Sequence, residues 1–149
     1  MIGISGSGKS TYANGLKTSL KVENKLDTKS ISMDDIRAEL TSDAADQSKN
    51  AEVFNLTRQR VMAGIKQGNN VIVDVTAPTP KDRRTWIDIA KANGAEARAY
   101  FINTPIAVAK KRNLSRARVV PDFVIDRQFS KLVPPRESEG FDSVTTVNG

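Results

Sequence analysis

The chain has 149 residues, 38% of them hydrophobic and 27% charged, which is typical of one domain, 1–149, around a single core. It contains no cysteine and no histidine, which excludes disulfides, imidazole bases and ordinary zinc or haem sites and leaves oxygen ligands for a hard cation such as Mg²⁺. The net charge of +6 favours a polyanionic partner. The sequence contains no run of eighteen apolar residues, so we predict no membrane span.

The first eleven residues predict a phosphate-binding loop, because 3–10 satisfies the pattern G-x-x-x-x-G-K-[ST]. In this pattern the backbone N–H groups turn inward around the phosphates of a nucleoside triphosphate. We expect Lys9 to reach the β- and γ-phosphates and the Ser10 hydroxyl to coordinate Mg²⁺. The strand-like residues 2–4 and the helix-like residues 10–20 flank the loop as this interpretation requires, and the alternative is a Gly/Ser turn without a ligand. The predicted nucleotide-binding residues are Gly6, Ser7, Gly8, Lys9, Ser10 and Thr11.

Short apolar runs alternate with longer helical patterns along the chain, which is typical of βαβ units in a three-layer αβα fold. Thr79 and Thr104 each precede a proline and predict capped helix starts. The polar segment 41–50 predicts either a mobile connection or a capped helix start. We expect a parallel five-stranded sheet with strands at 2–4, 29–33, 70–74, 97–102 and 143–147.

Acidic and basic side chains follow the second predicted strand, at the carboxyl edge of the sheet where ligands bind in such folds. Asp34 directly ends that strand and is our candidate base for the proton of an acceptor hydroxyl, unless it or Asp35 caps the next helix. Arg37 lies one helical turn further on and could clamp a phosphate of the acceptor. The alternative for Arg37 is a solvated surface arginine.

The third predicted strand also ends in a carboxylate, Asp74. This residue could hold Mg²⁺ through water, or orient Arg37 or a substrate hydroxyl. Its neighbour Thr76 could add a hydroxyl contact. Arg83 lies in the first turn of the following predicted helix. A cation gains nothing from the helix dipole there, so Arg83 indicates either contact with an anionic ligand or a charge that only increases solubility.

Basic side chains dominate 110–118, with no acidic residue among them. We interpret a segment at about 104–121 as a basic helical lid that closes over the triphosphate. Arg112 and Arg116, expected one helical turn apart, are the candidates for stabilising charge on the transferring group. A generic basic helix face or a nucleic-acid-binding arm are the alternatives, although aromatic residues that could stack on bases are scarce at 5%.

Four motifs follow the loop G-x-x-G-S-G-K-S-T, namely M-D-D-I-R, V-I-V-D-V-T-x-P-x-P-x-x-R-R, K-K-R-N-x-x-R and V-V-P. In this order they resemble the kinase domain of phage polynucleotide kinase and its P-loop relatives. The resemblance implies a fold that binds ATP or another nucleoside triphosphate with Mg²⁺ at one end of a tunnel, while a 5′-hydroxyl of DNA or RNA enters at the other. The resemblance also implies roles for single residues. Lys9 would bind phosphate, Ser10 the metal and Arg37 the acceptor 3′-phosphate. Asp34 would be the general base, and Arg116 and Arg112 would be lid arginines.

The acceptor stays open, because the scaffold also resembles phage kinases of hydroxymethylated pyrimidines in DNA, zeta-type toxins acting on a sugar nucleotide, and small-molecule kinases. We predict a cytoplasmic kinase that phosphorylates a hydroxyl of a polynucleotide in DNA modification or repair, in the host cytoplasm if it is phage-encoded. A nucleotide-gated ATPase or switch would need a residue that positions water, which the sequence does not indicate. A nucleic-acid-binding module would bind in a salt-dependent way without any need for Lys9.

Overall fold

Strands and helices alternate along most of the chain, as expected of an α/β fold. The structure is a computed structural model that describes residues 1–149 apart from the side chain of Asn24. The helices are α1 Lys9–Asn24, α2 Met33–Thr41, α3 Asn50–Lys66, α4 Pro80–Ala92, α5 Ile106–Leu114 and α6 Asp122–Lys131. The strands are β1 Thr28–Ser32, β2 Asn70–Asp74, β3 Arg98–Asn103 and β4 Ser143–Asn148.

The strands form two parallel pairs, β1 with β2 and β3 with β4. The first segment, 1–4, lies between the pairs: the main-chain N of Met1 donates to Val73 O at 2.8 Å, and Ile2 forms a parallel bridge with Phe101. Four predicted strands are confirmed with small shifts at their ends, whereas the first is a single bridge. The reason is that the backbone leaves the extended conformation at Gly3, where φ is 151°.

Two apolar clusters position the edge of the sheet. The larger one packs α2, α3 and α4 against β1 through Ile31, Ile36, Val53, Val61 and Ile89. A smaller one packs the first segment onto α5 and α6 through Ile4, Ala109 and Ile125. Burying an isoleucine side chain contributes about 1.5–3 kcal/mol. The loop after Ile4 is therefore fixed to α5, which lies in the predicted lid, and to α6, which follows the lid.

The two predicted Thr-Pro helix starts differ. Thr79 forms a capping box with Asp82, because its side chain accepts from the Asp82 main-chain N and the Asp82 carboxylate accepts from the Thr79 main-chain N. The capping prediction for Thr104 is wrong, since α5 begins after Pro105 without a side-chain cap. The Thr104 hydroxyl is buried and donates to Ser7 O at 2.9 Å instead.

Segment 41–50 forms turns rather than a side-chain-capped helix start. The carboxylates of Asp43 and Asp46 accept from main-chain N–H groups two residues further on, at 2.8 and 2.7 Å.

No helix in the described part of the chain combines the length and the apolar content that crossing a bilayer requires.

Candidate active site

The loop between the first segment and α1 depends on glycines for its shape. Gly6 and Gly8 have φ values of 79° and 100°, in the left-handed region that glycine adopts without strain. A Cβ on Gly6 would also clash with the main-chain O of Ala109. Helix α5 therefore packs directly on the loop, and a side chain at Gly6 would separate them.

The N-terminus of α1 faces this loop without a protein cap. The N-cap residue is Gly8, which supplies no side-chain hydrogen bond, and the first turn has no acidic residue. The main-chain N–H groups at the start of a helix need partners and carry partial positive charge. Phosphate oxygens would satisfy them, so the loop and α1 fit the phosphates of a nucleotide.

Lys9 is folded back onto the loop. Its ammonium group donates to Ile4 O at 2.9 Å, and the residue as a whole is half-buried. Burial is the main cause that lowers the pKa of Lys9 from its ordinary value. The negative charges of Asp74 and Asp34 oppose this shift, and the positive charge of Arg116 adds to it. Four predicted site residues thus lie close enough for their charges to interact.

The candidate metal site lies beside Lys9. The Ser10 hydroxyl donates to Asp74 Oδ2 at 2.7 Å, so a hydroxyl from α1 meets the carboxylate that ends β2. Two hard oxygen ligands, completed by phosphate and water, fit Mg²⁺. Thr76 lies nearby and its main-chain O accepts from Gly3 N at 3.3 Å. The described residues contain no group of three or more His, Cys, Asp or Glu side chains that could ligate a metal.

Asp34 lies in the first turn of α2 and does not end the strand as predicted, because β1 stops at Ser32. Ser32 is the N-cap and accepts from the main-chain N of Asp35, so the capping alternative for Asp34 and Asp35 is wrong. The Asp34 carboxylate remains available for contacts with other side chains.

Arg37 is only 7% exposed, so the alternative of a solvated arginine is wrong. Its Nη1 lies 2.7 Å from Asp34 Oδ1, and its Nη2 donates to Asn50 Oδ1 at 3.4 Å. Its Nε is buried without a hydrogen-bond partner. Arg37 therefore supports the candidate base from within the protein and retains an unused donor.

Two basic residues of the segment 110–118 form ion pairs with acids from other elements. Lys110 lies 3.5 Å from Asp122 and 2.8 Å from Asp126, both on α6, and these contacts hold α5 and α6 together. Arg118 Nη1 lies 3.1 Å from Asp34 Oδ2. Because acidic residues were sought only within 110–118, the sequence led to an overestimate of the unpaired positive charge of this segment.

The two predicted lid arginines do not lie one turn apart on a helix, because α5 ends at Leu114. Arg112 is on α5, and its Nη1 donates to Ser7 O at 3.4 Å. Arg116 lies in the connection to α6, and its charge contributes to the lowered pKa of Lys9. Both arginines lie near the phosphate loop although they belong to different elements.

Arg83 does not lie in this site. It is 1% exposed and forms a two-point ion pair with Glu139, with both N–O distances at 2.7 Å. Its Nη1 donates to main-chain oxygens of Ala77, Pro78 and Val133. With every nitrogen of the guanidinium in use, the predicted substrate contact is wrong, and Arg83 joins α4 to the C-terminal part of the chain.

The sequence profile of the family described as "AAA domain" (AAA_33) matches residues 1–135, most of the chain. The chain belongs to this family. The predicted resemblance to P-loop kinases is thereby confirmed, and the relatives of this AAA domain include proteins named as polynucleotide kinases.

Two curated relatives illustrate this. A "Bifunctional polynucleotide phosphatase/kinase" of Schizosaccharomyces pombe is 27% identical over 88 residues, 56% of this chain and 22% of the relative. A protein of Autographa californica nuclear polyhedrosis virus, whose name describes a bifunctional polynucleotide kinase/RNA ligase, is 26% identical over 149 residues, 89% of this chain and 20% of the relative. The AAA domain thus spans about a fifth of the length of these relatives.

Solved structures show the fold. The Pnkp1/Rnl/Hen1 RNA repair complex contains a chain with TM-score 0.74 and 20% identity, matched over 88% of this chain and 42% of that one. A gluconokinase from Sinorhizobium meliloti 1021 has TM-score 0.64 and 18% identity over 99% and 79% of the two chains. An APS kinase from Mycobacterium tuberculosis has TM-score 0.64 and 19% identity over 97% and 84%. The AAA domain has the α/β P-loop kinase fold.

The site of this AAA domain is also contacted by two residues that the sequence did not indicate. Arg118 belongs to the basic segment, but nothing local pairs it with Asp34, 84 positions away. Gln128 on α6 accepts from the main-chain N of Ser5 in the loop at 2.8 Å. A lone glutamine gives no signal in the sequence, and only the packing of α6 on the first segment brings it there.

Proposed function

We propose that this AAA domain is a kinase that transfers the γ-phosphoryl group of ATP or another nucleoside triphosphate to a hydroxyl of a polynucleotide, most directly the 5′-OH of DNA or RNA. One observation carries the proposal. The charges of Asp34, Asp74 and Arg116 all act on the Lys9 ammonium, which itself lies on the phosphate loop. The Ser10 hydroxyl, next to Lys9 in the chain, contacts Asp74 at 2.7 Å. A candidate base, a candidate metal ligand and a cation therefore act on the ammonium of the phosphate loop, which suits phosphoryl transfer.

The residues divide the work as follows. The main-chain N–H groups of 6–11 bind the phosphates, and Lys9 exchanges its bond to Ile4 O for one to a phosphate oxygen. Ser10 and Asp74 would hold Mg²⁺, which when bound supplies positive charge to the phosphate oxygens. Asp34 takes the proton of the acceptor hydroxyl, and Arg116, with Arg112 beside it, stabilises charge on the transferring group.

The choice of a polynucleotide acceptor rests on two kinds of support. Relatives named as polynucleotide kinases are similar in sequence, and the chain's net charge of +6 suits a polyanion. Arg37 lies beside Asp34 and is 7% exposed, so it supports the candidate base from within the protein and does not present its buried Nε to the acceptor.

We also propose that 1–149 form a single domain in which the first segment acts as the central strand of a five-stranded sheet. Support comes from its hydrogen bonds to both strand pairs: Met1 N to Val73 O at 2.8 Å on one side, and Ile102 N to Ile2 O at 2.8 Å on the other. Such a strand would aim the phosphate loop at the carboxyl ends of β2 and β3.

One assay tests the activity. The protein is incubated with γ-labelled ATP, Mg²⁺ and a panel of acceptors: 5′-hydroxyl DNA, 5′-hydroxyl RNA, hydroxymethyluracil-containing DNA, free nucleosides and gluconate. We expect labelled 5′ ends and no transfer by the variant Lys9→Ala, while Arg84→Ala on the exposed face of α4 behaves as wild type. Label appearing only as free phosphate would reject the kinase, and label on gluconate alone would assign a small-molecule kinase.

A further inference from the structure

Arg118 and Arg37 approach Asp34 from two different elements. Arg37 Nη1 lies 2.7 Å from Asp34 Oδ1, and Arg118 Nη1 lies 3.1 Å from Asp34 Oδ2. Each oxygen of the candidate base therefore has its own cation. The oxygen that an acceptor hydroxyl needs is occupied in this structure.

The two arginines are held with different strength. The Arg37 side chain is 9% exposed, lies on the same helix as Asp34 and has a further bond to Asn50. The Arg118 side chain is 33% exposed and the Asp34 side chain 53%. Ion pairs that reach solvent are the weaker kind, so Arg118 is the partner that an incoming group can displace.

The connection that carries Arg118 is itself fixed. Asn113 is fully buried, and its side chain donates to Val120 O at 2.7 Å and accepts from Val120 N at 3.0 Å. This two-point contact closes residues 114–119 into a short loop next to α2. Arg118 can therefore change partner by turning its side chain, without unfolding the lid.

We propose that Arg118 selects the acceptor by exchanging partners. In the free protein it neutralises Asp34, and on binding it moves to a phosphate adjacent to the acceptor hydroxyl, which frees Asp34 Oδ2. The hydroxyl oxygen then bonds to the γ-phosphorus, the bond to the β–γ bridging oxygen breaks, the nucleoside diphosphate leaves with its electron pair, and the proton passes to Asp34. A neutral acceptor offers no anion for this exchange, so the site favours hydroxyls that lie next to a phosphate. This inference rests on the proposed kinase function and adds Arg118 to the residues that select its acceptor.

The test compares a nucleoside 3′-monophosphate with the same nucleoside as acceptors for wild type, Arg118→Ala, Arg118→Lys and the surface control Arg84→Ala. We expect wild type and the control to prefer the phosphate-bearing acceptor in kcat/KM. In Arg118→Ala the ratio of kcat/KM for the monophosphate to kcat/KM for the nucleoside should fall at least tenfold. Transfer to the monophosphate should be slower, and transfer to the nucleoside should be unchanged or faster. Arg118→Lys keeps the charge and should retain an intermediate preference.

Four results would overturn the inference, and the last of them would also overturn the proposed function. A preference unchanged in Arg118→Ala, or an equal loss with both acceptors, would leave Arg118 with a structural role only. Circular dichroism shows whether Arg118→Ala is folded, and calorimetry measures its affinity for the monophosphate. An affinity equal to that of the wild type would also reject the exchange. Failure of the wild type to label any acceptor would reject the proposed function and the exchange together, whereas active wild type with an unchanged preference rejects only the exchange.

Discussion

The Ser10 hydroxyl lies 2.7 Å from Asp74 Oδ2, although the two residues are 64 positions apart in the chain. The contact joins the first turn of α1 to the end of β2, directly beneath the phosphate loop. A hydroxyl and a carboxylate in contact can open to accept one cation between them, and this relationship gives the first prediction.

Asp74→Asn should raise the Mg²⁺ concentration needed for half-maximal transfer. The amide oxygen can still accept from Ser10, but the negative charge that attracts the cation is lost. Losing a group that supports a metal from its outer shell, as a carboxylate does when it binds through water, typically costs about 10–100-fold in metal affinity or activity. A shift of at least that size is expected in a Mg²⁺ titration of the kinase assay. Asp88→Asn on the exposed face of α4 is the matched control. An unshifted titration would remove Asp74 from the metal site.

Lys9→Met should raise thermal stability near neutral pH while abolishing transfer. Burial lowers the pKa of Lys9 below its ordinary value of 10.5, so the folded wild type bears the cost of a buried charge whenever Lys9 is protonated. Between the folded pKa and 10.5 the unfolded chain binds more protons, and wild-type stability therefore rises with pH in that window. The stability advantage of Lys9→Met should shrink accordingly in melting curves taken at increasing pH. An advantage that grew with pH would contradict the cause given for the shift.

Asp34→Asn should lower kcat by about 10²–10⁴-fold, the usual contribution of a positioned proton acceptor. The amide keeps the size of the carboxylate but takes up no proton from the hydroxyl. Because KM for ATP depends on the loop and α1, it should stay within a few-fold of wild type in steady-state assays. Near-normal kcat in this variant would show that another group removes the proton.

Arg83→Ala should destabilise the fold without changing the activity of the folded fraction. Breaking a buried ion pair costs about 3–5 kcal/mol, and both partners here are largely buried. Burial, the largest single cause, raises the pKa of Glu139. The hydrogen bonds from Arg83 and from the Arg136 main-chain N, together with the charges of both arginines, outweigh burial, and the net shift is downward from 4.5. Its stabilisation is therefore present above 4.5 and lost as the pH falls through the lower folded pKa.

Denaturant unfolding of Arg83→Ala, Glu139→Ala and the double variant provides the check. The double variant should be less destabilised than the sum of the two single variants, because neither charge is then left buried alone. A loss of kcat/KM in folded Arg83→Ala would return this residue to the substrate site.

The sequence was most informative where chemistry depends on local spacing. The loop 3–10 was predictable because Gly6 and Gly8 must adopt left-handed φ values. The Thr79 cap was predicted from the proline that follows it, and it forms because Asp82 lies three residues further on, whereas the same Thr-Pro pattern failed at Thr104. The buried position of Arg83 was not predictable, since Glu139 lies 56 residues further on. A charged residue at a helix start is usually exposed, and only the tertiary contact decides otherwise.

The same limit applies to the site itself. The metal-side carboxylate and the candidate base were found because each lies next to a strand end. The pairing of Arg118 with Asp34 depends on the path of the connection after α5, which the buried side chain of Asn113 sets through Val120. Such a contact leaves no periodic pattern in the chain.

Gln128 gives the last prediction, because its Oε1 is the acceptor for the main-chain N of Ser5 in the phosphate loop at 2.8 Å. Gln128→Leu removes this acceptor, and the loop loses its direct hydrogen bond to α6. A hydrogen bond of this kind contributes about 0.5–1.5 kcal/mol, which corresponds to a rise in KM for ATP of roughly 2–12-fold with kcat little changed. Gln128→Glu retains an acceptor oxygen and should bind ATP nearly as wild type, whereas an equal effect of both variants would mean that the packing of α6, and not this hydrogen bond, holds the loop.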